Sequence, residues 1–187
     1  MARNKAQYDS RQVLELAIEV DKNQGFIKSG FGYYDREADK RVNDNKTQIM
    51  NFMTGVEDMI SISQDTVAQA DKIVDEFQHE LIAKKMMSTI NDFEQSVLNS
   101  IGNQTTDGFG VAVIASLPNS FRVMQQRQGM DDFFDQHRKD SEFVGKVGER
   151  LMFQAHIKDV KFIAKYSIHL VTCVDTQGNL CKFFFNR

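Results

Sequence analysis

The hydrophobic period of this chain changes once, near Phe143, and that change limits the folds open to it. Before it, apolar residues recur every three or four positions, as on one face of a helix. After it they alternate, as on a strand with one solvated face. The expectation is an α+β chain: an acidic, mainly helical region over residues 1–137, then a small basic antiparallel β module over residues 138–187. A single proline in 187 residues leaves long helices unbroken. Hydrophobic residues at 41% suffice for a packed core.

Residues 10–23 carry Val13, Leu14, Ala17, Ile18 and Val20 at helical spacing, and Gly25 suits the left-handed stop after them. A hairpin is expected within 25–35, pairing residues 26–28 with 31–34 across Ser29-Gly30. Residues 35–46 read as an exposed polar connection, and 46–54 as a short helix. Thr54 and Glu57 have the spacing of a capping box that would open the next helix. Ile73, Phe77 and Leu81 mark one further stripe, and Ile90, Phe93, Val97 and Ile101 another, with a break near Ser88, which suits an N-cap. The period of GVAVIASLP (110–118) fits a buried strand or a turn of helix equally. Residues 119–139 read as a polar helix leading to the last module.

In that module Leu151, Phe153, Ala155 and Ile157 alternate with Met152, Gln154, His156 and Lys158. The alternation then slips by one, and Val160, Phe162 and Ala164 become the apolar set. One extra residue near Lys158-Asp159, held in a β-bulge, accounts for the slip. Residues 167–174 and 180–185 read as a second and third strand, joined by a turn in which Gly178 or Asn179 supplies positive φ.

Charge divides the same way. Residues 138–187 carry nine Lys/Arg and five Asp/Glu, and residues 1–137 carry fourteen and twenty-one, so +4 and −7 make up the net −3. A basic end on an acidic body points to an anionic partner, or to attraction between the two parts. The polar side of the module collects the candidate contacts: His156, Lys158, Lys161, Lys165, Tyr166, Lys182, Phe184 and Arg187. Lysine and arginine neutralise phosphates, and Tyr166 and Phe184 can stack on bases. A solvated polar face would look the same.

The run from Glu142 to Phe185 resembles a module of uncharacterised bacteriophage proteins. The likeness rests on Val144, Gly145, Val147, Gly148 and Arg150, a long bent strand, then Asp175, Gly178 and Asn179 before an aromatic strand. GFIKSGFGYY and the small-apolar stretch ending at Pro118 add weaker patches. The resemblance implies an OB-like barrel that binds single-stranded nucleic acid or a protein partner. Those relatives continue through two more strands where this sequence ends at Arg187. Three strands cannot close a barrel, so the sheet edge is expected to be covered by the helical body, paired in a homo-oligomer, or left open.

Other chemistries find little in the sequence. No run of eighteen apolar residues crosses a membrane, and the N-terminus lacks a signal stretch. Two cysteines among nine methionines fit a reducing cytoplasm, that of a host cell for a phage protein. Cys173, Cys181 and His169 could approach a zinc ion, but their spacing matches no closed zinc motif, and buried thiols explain them better. GFGYY lacks the ending of a phosphate-binding loop, and Asp131 with Asp135 reads as a solvated acidic face. No catalytic residues, cofactor or metal are expected. The expected function is that of a non-catalytic phage accessory protein binding single-stranded nucleic acid. The alternative is an adaptor or inhibitor that docks on a host or phage protein through acidic helices and the open sheet edge.

Overall fold

Asp9 accepts the Gln12 N–H at 2.7 Å and starts α1 (Ser10–Gln24) in the computed structural model, which describes residues 6–186. The helix stops where Gly25 takes φ 75° and returns its N–H to the Asp21 carbonyl at 2.9 Å. Val13, Leu14, Ala17, Ile18 and Val20 are buried, and so is Leu16, so α1 is enclosed on more than one side. The chain is α+β and separates into two compact units, residues 1–123 and 124–187. The division falls inside a helix, ahead of the change in hydrophobic period.

In the first unit β1 (Tyr8–Asp9) pairs antiparallel with β4 (Thr105–Thr106), tying the start of α1 to the loop after the fourth helix. The expected hairpin lies further along. β2 (Tyr33–Asp35) pairs with β3 (Lys40–Val42), and residues 26–28 are not strand. Asp35 makes the turn by accepting the N–H groups of Glu37 and Ala38, whereas Ser29-Gly30 makes a local turn that returns the Phe31 N–H to the Lys28 carbonyl at 2.9 Å without pairing strands. Residues 35–46 are therefore partly structured. A Cβ on Gly32 would stand 2.8 Å from the Val42 carbonyl oxygen, so the glycine is needed for close backbone approach.

Asp44 caps α2 (Asn45–Met53), and the buried Asn45 side chain accepts the Ile27 N–H at 2.8 Å. Thr54 ends this helix rather than opening another, because Gly55 at φ 72° breaks the turn. Glu57 instead accepts the side-chain amides of Gln48 and Asn51. Ser63 caps α3 (Gln64–Met86), which buries Ala70, Ile73, Phe77 and Leu81. Ser88 lies in the left-handed region at φ 54°, and the capping box is made three residues on by Asn91 and Glu94, opening α4 (Asp92–Gly102).

The ambiguous apolar stretch is helical. Asp107 accepts the Phe109 and Gly110 N–H groups at 3.0 and 3.1 Å, and this cap starts α5 (Gly108–Ala115). The helix is apolar on all sides because it packs against α1, α2 and α4 together. Each such buried Val or Ile contributes roughly 1.5–3 kcal/mol. Pro118 sits in the first turn of α6 (Leu117–Arg138), where no intrahelical N–H is needed.

The second unit is a three-stranded antiparallel sheet in the order β5 (Ala155–Ile163), β6 (Ile168–Asp175), β7 (Leu180–Phe185). The bulge lies where the sequence places it: the register shifts between Ile157 and Asp159, leaving Lys158 as the extra residue. Residues 151–154 are not part of β5. Ala155 pairs with Asp175, where β6 turns away, so the four residues before Ala155 have no ladder partner.

A candidate binding face on the C-terminal unit

Cross-strand partners share a face of a sheet, so the register sorts every side chain. One face holds His156, Asp159, Lys161, Ile163, Ile168, Leu170, Thr172, Val174, Leu180, Lys182 and Phe184. The other holds Ile157, Val160, Phe162, His169, Val171, Cys173, Cys181, Phe183 and Phe185.

The first face contains most of the expected contacts, and the end of α6 lies beside it. The Lys182 ammonium stands 4.9 Å from the centre of the Phe134 ring, and that of Lys158 stands 4.9 Å from the Phe133 ring. Those two rings meet edge to face, with centroids 5.9 Å apart. A cation over an aromatic ring gains about 0.5–1 kcal/mol at an exposed site. Both lysines are thus engaged within the unit, while His156, Lys161 and Phe184 stay exposed. Lys165 and Tyr166 belong to neither face. They form a 3-10 turn between β5 and β6, with the Lys165 ammonium 5.2 Å from the Tyr166 ring. Arg187 lies outside the described residues.

The second face reverses an expectation. The alternation made it the packed side, yet its rim is open: Phe162 is 55% and Phe185 48% exposed, and Ile157 is more so. The buried side chains of this face, Val171, Cys173 and Asp175, all lie on the central strand. Phe162, His169 and Phe185 form a row across the three strands, with Phe162 and His169 rings 5.0 Å apart. Tyr166 and Lys165 follow at the same end of the sheet. Toward the other end, Leu151, Phe153, Ile157, Cys173, Cys181 and Phe183 line an open groove of about 780 Å³. Period shows which side chains share a face. It does not show which face α6 stands beside, and so it does not mark the aromatic row.

Cys173 and Cys181 are directly opposite each other, as their spacing about Gln177 implies. Burial pushes both thiols above their usual range, which keeps them protonated. Among the described residues no three His, Cys, Asp or Glu side chains converge as a metal site, and no helix is long and apolar enough to cross a membrane. Asp175 is held below the usual carboxylate range, first by the Asn179 side-chain amide and then by the backbone N–H groups of the turn.

Comparison of the chain with protein-family models, with curated proteins and with solved structures finds no match in any of the three.

Proposed function

We propose that this protein binds single-stranded nucleic acid at the aromatic end of its C-terminal sheet, as a non-catalytic accessory protein of the phage kind its sequence resembles. The observation that carries the reading is the row of exposed Phe162, half-buried His169 and exposed Phe185, followed by Tyr166 and Lys165 at the same end of the sheet. Aromatic faces stack on bases of any sequence, and a nearby lysine takes a phosphate. His156, Lys158, Lys161, Lys182 and Phe184 face the other way and play at most a peripheral part. Fluorescence anisotropy with an oligothymidylate tests this. Binding should weaken steeply with salt and fall for Phe162→Ala and Phe185→Ala. No binding at low salt, or undiminished binding by both variants, would remove the reading.

A second reading is favoured by a different observation. Phe143, Val147 and Met152 are fully exposed in the segment ahead of β5, and Phe143 and Met152 line the apolar groove. Clustered apolar exposure of this kind marks protein docking, as an adaptor or inhibitor would need. A pull-down repeated with nuclease separates the readings: recovery of one protein regardless of nuclease favours docking.

A further inference from the structure

The turn between β6 and β7 brings the two cysteines of the chain to the same level of the sheet. Cys173 and Cys181 lie eight positions apart in sequence and are direct cross-strand partners. The hydrogen bond from the Asp175 N–H to the Asn179 carbonyl at 3.0 Å sets the alternation of the ladder. Two residues along each strand, Cys173 and Cys181 therefore form a hydrogen-bonded pair. The Cα atoms of such a pair stand about 5.5 Å apart. A disulfide spans about 4.4–6.8 Å, so the ladder alone holds these residues at a bonding separation, with both side chains on one face. Both are free thiols. Each has only a weak backbone acceptor: Cys173 donates to the Cys181 carbonyl and Cys181 to the Asn179 carbonyl, both at 3.7 Å.

The two sulfurs differ in access. Cys173 is 1% exposed, whereas Cys181 is half-buried. Both line the groove of about 780 Å³. A reagent entering that groove meets Cys181 first, with Cys173 beside it as the thiol that resolves a mixed disulfide. The strand that carries Cys181 is also the one held on a single side, since β7 pairs only with β6.

We infer that Cys173 and Cys181 are a modification site, at which a small disulfide oxidant of the glutathione class joins them reversibly and pins β7 to β6. Cys181 loses its proton to solvent, and its thiolate attacks one sulfur of the oxidant. The S–S bond of the oxidant breaks, and one glutathione leaves as a thiolate that takes up a proton. Cys173 then deprotonates and attacks the Cys181 sulfur, the mixed disulfide breaks, and the second glutathione leaves in the same way. The protein loses two hydrogens, and one oxidised glutathione becomes two reduced ones. Burial favours the protonated thiols, so the pair rests reduced and reacts slowly, because only a thiolate attacks. Where thiols are generally kept reduced, a bond of this kind is transient and senses the redox state.

Intact-mass spectrometry of the full chain incubated with oxidised glutathione tests this, and its outcome does not depend on nucleic-acid binding. The native chain should lose two hydrogens while staying at 21.4 kDa, with no glutathione attached. Cleavage before Asp175 should leave residues 159–174 joined to 175–187 until dithiothreitol separates them. Cys173→Ser should instead retain one glutathione on Cys181, and Cys181→Ser should retain none, because the remaining thiol is enclosed. Amide exchange at Cys181 and Phe183 should slow by roughly tenfold or more in the oxidised chain. A native chain that stays unoxidised, carries glutathione on both cysteines, or is joined through them to a second chain would overturn the inference. So would amide exchange in β7 that is equal in the two redox states.

Discussion

Asn179 donates its side-chain amide to one carboxylate oxygen of Asp175 at 2.9 Å and its backbone N–H to the other at 2.8 Å. Its own side-chain oxygen accepts the Glu142 N–H at 2.9 Å, so this pair both closes the β6–β7 turn and anchors the segment entering the sheet. Asp175→Ala should loosen both. Hydrogen exchange should show lost amide protection at Gln177 and Asn179, spreading to residues 142 and 180. Protection that is unchanged there would mean the turn is held by backbone alone.

Acid should destabilise the fold through a small set of carboxylates. Glu94 is held below its usual range first by Lys84 and then by the Asn91 N–H, and Glu19 first by the Thr66 hydroxyl. For Asp44, burial opposes ionisation, but bonds from Thr47 and Gly30 outweigh it. A depressed folded-state pKa stabilises above the unfolded value and loses that contribution as pH falls through the folded value. Stability should therefore be level from neutral pH to about 5 and decline below about 4. Urea midpoints measured across pH check this, and Glu94→Gln should flatten part of the decline.

The two faces of the sheet should respond differently to substitution. Replacing Phe162 or Phe185 by alanine should cost about 1–3 kcal/mol of single-strand affinity for each base that stacks there. Lys165→Gln should instead lower the salt dependence by about one unit of slope or less. His156→Ala and Phe184→Ala should change either quantity little. Anisotropy titrations at several salt concentrations give both numbers.

A methyl group on Gly110 would overlap the Thr106 hydroxyl and stand 3.2 Å from the Ser100 hydroxyl oxygen. Gly110→Ala should cost about 1–3 kcal/mol by overpacking α5 against β4. Asn91→Ala, which removes a cap on an exposed helix start, should cost about 1 kcal/mol. Chemical denaturation resolves both.

The elements most legible in the sequence are those whose signal is local. The stripe Val13–Leu14–Ala17–Ile18 with Gly25 behind it gives α1, and Leu180–Phe185 is read to the residue. Where a segment's fate depends on distant partners, the reading fails in a definite way. GVAVIA is apolar on every side because three helices surround it, which erases the period that would identify it as helix. Thr54 and Glu57 fit a capping box by spacing, yet Gly55 and the amides of Gln48 and Asn51 use them otherwise. For the candidate site, alternation sorts Lys161 from Phe162, but the placing of Phe133 and Phe134 beside the lysines is a tertiary fact that leaves no mark on period.

Lys158 occupies the bulge as a spacer, and Ile157 and Val160 keep the same side of β5 on either side of it. Deleting it would bring Asp159 next to Ile157 in ordinary alternation, with no exchange of apolar and charged surfaces. A second insertion there would have no such refuge and would turn Val160 and Phe162 over. Along this strand the protein can thus shed one residue of length while conserving its chemistry, and Lys158 is the point at which shortening is tolerated.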